Sequence, residues 1–523
     1  MGGGVGAVLE TELKFELGAG AVRALVDHLK LATLGEQRTL RSIYFDTPKN
    51  ALKSHHFILR VRDDGVHRVQ TVKKSTAGGN GFRRGEWEGR IEHQRGEALA
   101  PDLAAVAKTP LGALLKPGDL ARVRPIFEVD LDRIGRSVEV DGAVIEIVLD
   151  RGCVRAQGRK AQVREIELEL KSGPVQGLFQ LARELSEVAP MELCFVSKSA
   201  RGFALLANKP AVAAEAINPA LKPHETAAEA FQAIAGAALA QIAANARVLR
   251  VARRMEALHQ LRVGARRLRS AISLFGPMLA DDGLEHVKAE LKWLTGQMDQ
   301  ARDLDVFIQE TYRPAAERRP DLTGMAAFGH ALLTAQDRAY GRVEAAINGA
   351  RFRALMLEAL AWIEAGAWSE APKLADLRTR PIKAVASQRL EDHYRKVVRK
   401  GRTLARLEPI ARHHLRIKAK KLRYACGFFG GLYDRGKDQR AFALAMHDLQ
   451  DSLGALNDVA VSHDMVARLA GVGRTPGRAA CVVDPAAAFA AGAILGETTA
   501  GTEGLIKAAV KAHKAVSKAK PFW

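Results

Sequence analysis

Residues 8–170 alternate between apolar and polar positions with a period of two. In Val8–Leu17, Leu9, Thr11, Leu13, Phe15 and Leu17 fall on one face and Glu10, Glu12, Lys14 and Glu16 on the other. Similar short segments follow at 42–46, 57–62, 67–73, 86–91, 124–130, 137–140, 144–150 and 164–170. Turn signals such as Asp64-Gly65 and Asp141-Gly142 separate neighbours, which predicts antiparallel hairpins. Two helical stretches, about 20–32 and 174–188, interrupt the strands. From about residue 224 the period becomes helical, in long Ala-, Leu- and Arg-rich segments. Between them 207–223, with Pro210, Pro219 and Pro223, reads as a linker. The predicted plan is an α+β antiparallel barrel over 1–209, a linker over 210–223, an all-α domain over 224–515 and a basic tail over 516–523.

The chain has 523 residues and a formal net charge of +20. That excess points to a polyanionic partner. It is uneven: Lys and Arg exceed Asp and Glu by 5 in residues 1–209 (32 against 27) and by 15 in 210–523 (47 against 32). The four cysteines, Cys153, Cys194, Cys426 and Cys481, form no CxxC pair, which argues against a zinc site or a disulfide framework. The N-terminus lacks the basic and apolar regions of a signal peptide, and the longest apolar stretch, near 479–495, is broken by Asp484 and Pro485. A cytoplasmic protein with no membrane partner is expected.

The strands gather charge on one face. Glu10, Glu12 and Lys14 share a face; so do Arg60 and Arg62; so do Glu165, Glu167 and Glu169; Asp150 lies on the face of Glu146. A barrel with a charged lumen, its apolar exterior covered by helices, satisfies both faces. Packed carboxylates repel unless a cation or proton sits between them, and Arg and Lys beside them suit phosphate oxygens. Such a lumen fits a complex of a hard divalent cation with phosphate. For any one strand a solvated charged face is the better explanation; several strands with the same grouping reverse that preference.

The ordered motifs resemble the CYTH family of triphosphate tunnel metalloenzymes: Glu10-x-Glu12-x-Lys14, Tyr44-Phe45-Asp46-Thr47-Pro48, Leu59-Arg60-Val61-Arg62, Thr71-Val72-Lys73, Arg84-x-Glu86-x-Glu88, Glu146 to Asp150, Glu165-x-Glu167-x-Glu169 and Ser197-Lys198-Ser199-x-Arg201. The resemblance spans residues 8–205. It implies hydrolysis of inorganic triphosphate or short polyphosphate with Mg²⁺ or Mn²⁺. By it, Glu10, Glu12, Glu167 and Glu169 hold the metal, and Asp150 and Glu165 assist the metal or position the water. Lys14, Arg60, Arg62, Lys73, Arg84, Arg124 and Lys198 then grip phosphate, with Arg83 an alternative to Arg84 and Arg41 a further candidate.

The helical half repeats itself. His259-x-x-Arg262-x-x-x-Arg266-Arg267-x-Arg269 answers His413-x-x-Arg416-x-x-x-Lys420-Lys421-x-Arg423, displaced by 154 residues, and Arg302-Asp303 answers Asn457-Asp458. This predicts two pseudo-symmetric helical bundles. His259, Arg262, Arg266 and Arg269 form one stripe on a helix beside an apolar one, and His413, Arg416, Lys420 and Arg423 repeat it. A single basic stripe is ordinarily a solvated face; its repetition at matched positions favours a groove for a phosphate chain. These elements, with Leu422-Arg423-Tyr424, resemble the CHAD family of helical polyphosphate-binding domains, which implies that both stripes contact polyphosphate. Arg302, Asp303, Asn457 and Asp458 read as packing or network residues. Nucleic-acid binding, which net charge alone allows, lacks any helix-turn-helix, zinc-finger or base-stacking pattern. Association with polyphosphate granules with little hydrolysis is the alternative function, and the sequence leaves the oligomeric state open.

Overall fold

The strands form where the alternation continues longest. The computed structural model describes residues 8–74, 83–92, 97–115, 117–208, 212–434, 436–469 and 484–523, the side chains of 8–9, 83–86, 117 and 468–469 excepted. In it lie β1 (Val8–Leu17), β2 (Glu36–Asp46), β3 (Phe57–Asp63), β4 (Arg68–Lys74), β5 (Arg83–Ile91), β6 (Arg124–Val140), β7 (Ala143–Ala156), β8 (Arg159–Ser172) and β9 (Met191–Leu193). They pair in the order β5-β4-β3-β2-β6-β7-β8-β1-β9 in an antiparallel sheet. β1 changes partner along its length: Glu12–Glu16 pairs with β8, while Val8–Thr11 pairs with β5.

β6 is longer than the alternation suggested. Its 17 residues run straight through the expected break between Asp130 and Ser137. Gly135 sits where a Cβ would stand 2.8 Å from the Ile147 carbonyl oxygen of β7, so this glycine serves close strand approach rather than a turn. β2 likewise begins at Glu36, six residues before the expected start.

The helices of this first part are α1 (Ala19–His28), α2 (Val175–Val188) and α3 (Lys198–Ala207). α2 buries Leu178, Phe179, Leu181, Ala182 and Leu185 and packs on β7 and β8, whose outward side chains Ile145, Ile147, Leu149, Ile166 and Leu168 are buried. α3 lies along β6, β7 and β8. Phe203 of α3 meets Phe127 edge-on at 5.3 Å, and Phe127 stacks on Tyr44 at 4.6 Å. With Leu40, Val129, Leu131, Val154, Ala156 and Val163 these rings make an apolar core on the inward side of the sheet. The interior is therefore charged over only part of its length.

The chain divides into two compact units. One comprises Met1–Ile217, Leu239–Val248 and Gly349–Gly366; the other comprises Asn218–Ala238, Leu249–Asn348 and Ala367–Trp523. The helical segments are α4 (Ala227–Val251), α5 (Met255–Phe275), α6 (Gly283–Val306), α7 (Met325–Asn348), α8 (Ala350–Ala365), α9 (Ile382–Gly401), α10 (Pro409–Phe429), α11 (Lys437–Leu469), α12 (Pro485–Ala500) and α13 (Thr502–Lys518), short turns aside. Within the first unit α8 packs on α2, where Arg183 donates to Glu358 at 2.7 and 2.8 Å. Within the second, α5 packs on α10 and α6, and α10 on α9 and α11. α4 is long and apolar enough to cross a membrane by composition alone, and 61% of its apolar window is buried in the protein.

The end of the chain is anchored. α13 continues to Lys518, and beyond it Trp523 packs against Phe442 at 5.1 Å and donates from Nε1 to Glu391 at 3.2 Å. The basic residues there decorate a helix whose terminus is held by aromatic packing.

Candidate active site and cationic cluster

The inward side chains of the sheet line a cavity of about 1060 Å³. Glu10, Glu12 and Lys14 reach it from β1, Arg60 and Arg62 from β3, Lys73 from β4, and Glu167 and Glu169 from β8. Lys198 enters from the first turn of α3, whose start is fixed by the Ser197 hydroxyl accepting from the Ala200 amide at 3.1 Å. The grouping expected from the alternation is thus one wall.

Register sorts these charges into rows. Glu12 of β1 lies opposite Glu169 of β8, which lies opposite Glu146 of β7. Lys14 lies opposite Glu167. One row further, Glu16, Glu165, Asp150 and Arg133 follow one another across β1, β8, β7 and β6.

The deepest row is neutralised by protein. Asp150 and Glu165 are fully buried and do not line the cavity. Arg133 donates to both Asp150 oxygens at 2.8 Å. Lys198 Nζ stands 2.8 Å from Asp150, 2.9 Å from Glu165 and 2.8 Å from Glu167, and Arg201 closes on Glu165. Burial pushes the Asp150 carboxyl up, but Lys198 and Arg133 outweigh it and hold the group below the usual range. Glu167 is held well below that range by Lys14, Lys198 and Arg133 against burial. Burial lowers Lys198, but Asp150, Glu167 and Glu165 raise it well above the ordinary lysine value. Asp150 and Glu165, expected beside metal and water, thus pair with Arg133, Lys198 and Arg201, and Glu167, expected as a metal ligand, stands beside Lys14, Lys198 and Arg133.

The other cavity carboxylates also meet lysines. Glu10 stands 3.5 Å from Lys73, Glu12 3.7 Å from Lys14, and Lys171 bridges Glu146 and Glu169 at 2.8 Å each. Among the described residues no three His, Cys, Asp or Glu side chains stand together as a ready ligand set. Mg²⁺ needs no such cage, because it binds through one or two carboxylates plus substrate phosphates and water. The Glu12–Glu169–Glu146 row supplies hard oxygen donors of the right kind, without thiol or imidazole.

Arg62 differs from its neighbours. Arg60 donates to Thr71 at 2.9 Å and to Glu88 at 3.3 Å. Arg62 has no carboxylate partner among the described residues, and burial, then Arg60 and Arg133, push its guanidinium down to about 10. A half-buried cation repelled by two others is poised for an anion.

Two expectations change. Arg124 is exposed at the start of β6 and does not line the cavity, because inward parity on that strand passes through Val129, Leu131 and Arg133. Arg41 is exposed and pairs with Glu128 at 3.1 Å; Arg38, on the inward parity of β2, reaches the cavity. The side chains of Arg83 and Arg84 lie outside the described residues. Arg38, Arg133 and Lys171 were missed. The signal for Arg133 was present, since Val129-x-Leu131-x-Arg133-x-Gly135-x-Ser137 keeps inward parity once Gly135 is not taken as a stop.

In the second unit the two repeated stripes meet where α5 packs on α10. Burial, then Arg266, Arg416 and Arg262, push Lys420 down to about 7. Arg416 is lowered by burial and Arg266 against the pull of Asp458 and Asp303. Arg262 is buried and bound to Asp299. Four cations from both repeats thus converge, bordered by Asp299, Asp303 and Asp458. His259 is half-buried and lowered by burial and Arg302. The exposed His413 shares a hydrogen bond with Asn457 at 3.0 Å, and Arg423 donates to Gln450 at 2.9 Å. Arg269 is exposed and acts on Lys421 rather than on Lys420. Arg267 is buried, its guanidinium 5.2 Å from the Phe428 ring, which is packing.

Comparison with known proteins places both parts. The CYTH domain family matches residues 9–203 and the CHAD domain family matches residues 233–467. An inorganic triphosphatase of Haemophilus influenzae is 28% identical over 204 residues, which are 38% of this chain and 54% of that protein. The chain therefore spans about half the length of this curated relative. The crystal structure of the CHAD domain from the plant Ricinus communis superposes with a TM-score of 0.50 at 27% identity, covering 60% of this chain and 98% of that one.

Proposed function

Because the chain carries a CYTH domain over residues 9–203 and a CHAD domain over residues 233–467, we propose that it hydrolyses inorganic triphosphate or short polyphosphate in the first and binds polyphosphate with the second. The observation that carries this reading is Arg62: a half-buried guanidinium without a carboxylate partner among the described residues, beside Arg60 and Arg133, in a cavity that is also lined by glutamates. The pairing of β5 with β1, besides that of β8 with β1, supports a closed tunnel around it.

In this reading Arg62, Arg60, Lys73 and Arg38 grip the phosphate oxygens, and Glu10, Glu12, Glu169 and Glu146 hold Mg²⁺ or Mn²⁺. When bound, the metal supplies Lewis-acid polarisation of a phosphoryl oxygen and offsets the developing charge. The Asp150–Arg133–Lys198 network fixes Lys198 and Glu167 in the cavity wall from behind, where Asp150 acts by positioning rather than direct chemistry. Water attacks a terminal phosphoryl group in line, the anhydride P–O bond breaks, and pyrophosphate leaves. Glu10, Glu12, Glu146 and Glu169 are the cavity carboxylates from which one takes up the water's proton. In the second domain Arg262, Arg266, Arg416 and Lys420 form the polyphosphate contact. Both substrates and the metal suit a cytoplasmic setting, with granules as a place of association.

A panel of triphosphate, long polyphosphate, ATP and thiamine triphosphate, each with Mg²⁺ or Mn²⁺, tests the reading. Triphosphate is expected to release phosphate fastest. Arg62→Ala should raise KM for it about tenfold or more, the worth of one charge-assisted contact. Tight polyphosphate binding with no phosphate release from any substrate would leave only the granule-binding alternative.

A further inference from the structure

A second cavity, of about 350 Å³, lies in the helical unit on a different side of α10. Its wall takes His414, Lys418 and Lys421 from α10, Arg389, His393 and Lys396 from α9, and Ser273 from the end of α5. On α10 these positions are i, i+4 and i+7, whereas His413, Arg416, Lys420 and Arg423 occupy another stripe. Lys420 and Lys421, adjacent in sequence, therefore serve different clusters.

The charge in this cavity is not compensated by protein. Among the described residues none of Arg389, Lys396, Lys418 and Lys421 stands within 4 Å of a carboxylate, and Asp392, the single acid in the wall, pairs with none of them. Lys421 donates instead to the Ser273 hydroxyl at 3.1 Å. A solvated basic face would spread such side chains into water. Here Lys396 is exposed, while Arg389, Lys418, Lys421 and His393 are half-buried, and burial, then Lys396, Lys421 and Arg389, push His393 down to about 4, so its ring is neutral at pH 7. Gathered cations of this kind are stabilised by an anion that meets several at once.

The wall also limits which anion. It contains no Phe, Tyr or Trp, and Ile417 is its one aliphatic side chain, so the stacking surface for a base is limited to the His393 and His414 rings and the Arg389 guanidinium, while cations dominate the wall. Its volume, about 350 Å³, exceeds what one phosphoryl group fills. We propose that this pocket is a second, separate binding site for a short linear phosphate oligomer, seated on Lys418, Lys421, Lys396 and Arg389. It stands independently of the tunnel reading, since it uses neither the sheet nor a metal.

The test is a local one on the full chain without divalent metal, so that hydrolysis does not consume the probe. Side-chain ¹H–¹⁵N spectra of histidine are recorded while tripolyphosphate is added, with the His393→Gln spectrum identifying the ring signal. Saturable movement of the His393 signal is expected. Its dissociation constant should weaken about tenfold or more in Lys418→Gln/Lys421→Gln, as expected for lost charge-assisted contacts. The Lys418→Arg/Lys421→Arg pair should retain binding, which separates lost charge from lost fold. Arg262→Ala should leave the constant unchanged. A signal that does not move, an unchanged constant in the glutamine pair, or equal weakening by Arg262→Ala overturns the proposal, as does tighter binding of ATP or duplex DNA. Because the readout is His393, none of these outcomes depends on whether triphosphate is hydrolysed.

Discussion

At Asp150 a single carboxylate decides how the wall of the cavity is held. It is fully buried, receives two bonds from Arg133, and meets Lys198. Asp150→Asn would leave two half-buried cations short of a counter-ion and is expected to destabilise the first unit by about 3 kcal/mol. The pH dependence follows from the sign of the shift. The folded-state pKa is depressed, so the contribution is present above the ordinary aspartate range and lost as pH falls through the folded value. Acid unfolding followed by circular dichroism should begin at higher pH in Asp150→Asn and be less steep; identical acid profiles would show that the network contributes nothing. Sequence alone made Lys198 and Asp150 conspicuous, but not that they meet each other. Alternation tells which face a side chain takes, whereas the partner depends on which strands become neighbours, and Arg133 was hidden by the supposed break at Gly135.

Elements succeed or fail on close approach. Gly135 and Gly152 both lie inside long strands, and at Gly152 a Cβ would fall 2.0 Å from the Asp130 carbonyl oxygen. Read from sequence, such glycines look like punctuation, which is why β6 was divided. The strand faces themselves were legible because burial enforces the period of two. Gly202 is the corresponding device in α3: a Cβ there would stand 2.3 Å from the Phe127 ring. Gly202→Ala should therefore push α3 away from the sheet and cost about 1–3 kcal/mol, read as a lower thermal midpoint. An unchanged midpoint would mean that α3 does not seat on Phe127 as described.

Across the whole molecule, the order of a β-rich part and a basic helical part was plain from the change of period. The division into compact units was less so, because α8 packs on α2 of the first unit although it lies within the helical sequence. The repeat at 259–269 and 413–423 brought out the residues that converge, and the structure selects Arg262, Arg266, Arg416 and Lys420 from it. If the two parts act separately, Arg262→Ala with Arg416→Ala should weaken polyphosphate binding and flatten its dependence on salt by about two counterions. Phosphate release from triphosphate should be unaffected. Loss of both together would contradict separate roles.

The most direct measurement is phosphate release from triphosphate by the full chain with Mg²⁺ or Mn²⁺, wild type against Glu12→Gln. Glu12 borders the cavity in the row with Glu169 and Glu146 and is not part of the buried Asp150 network. The account predicts metal-dependent release in the wild type, abolished by chelation and reduced about 100-fold by Glu12→Gln in a protein that still folds. Release that persists undiminished in Glu12→Gln, or that needs no divalent ion, would contradict it.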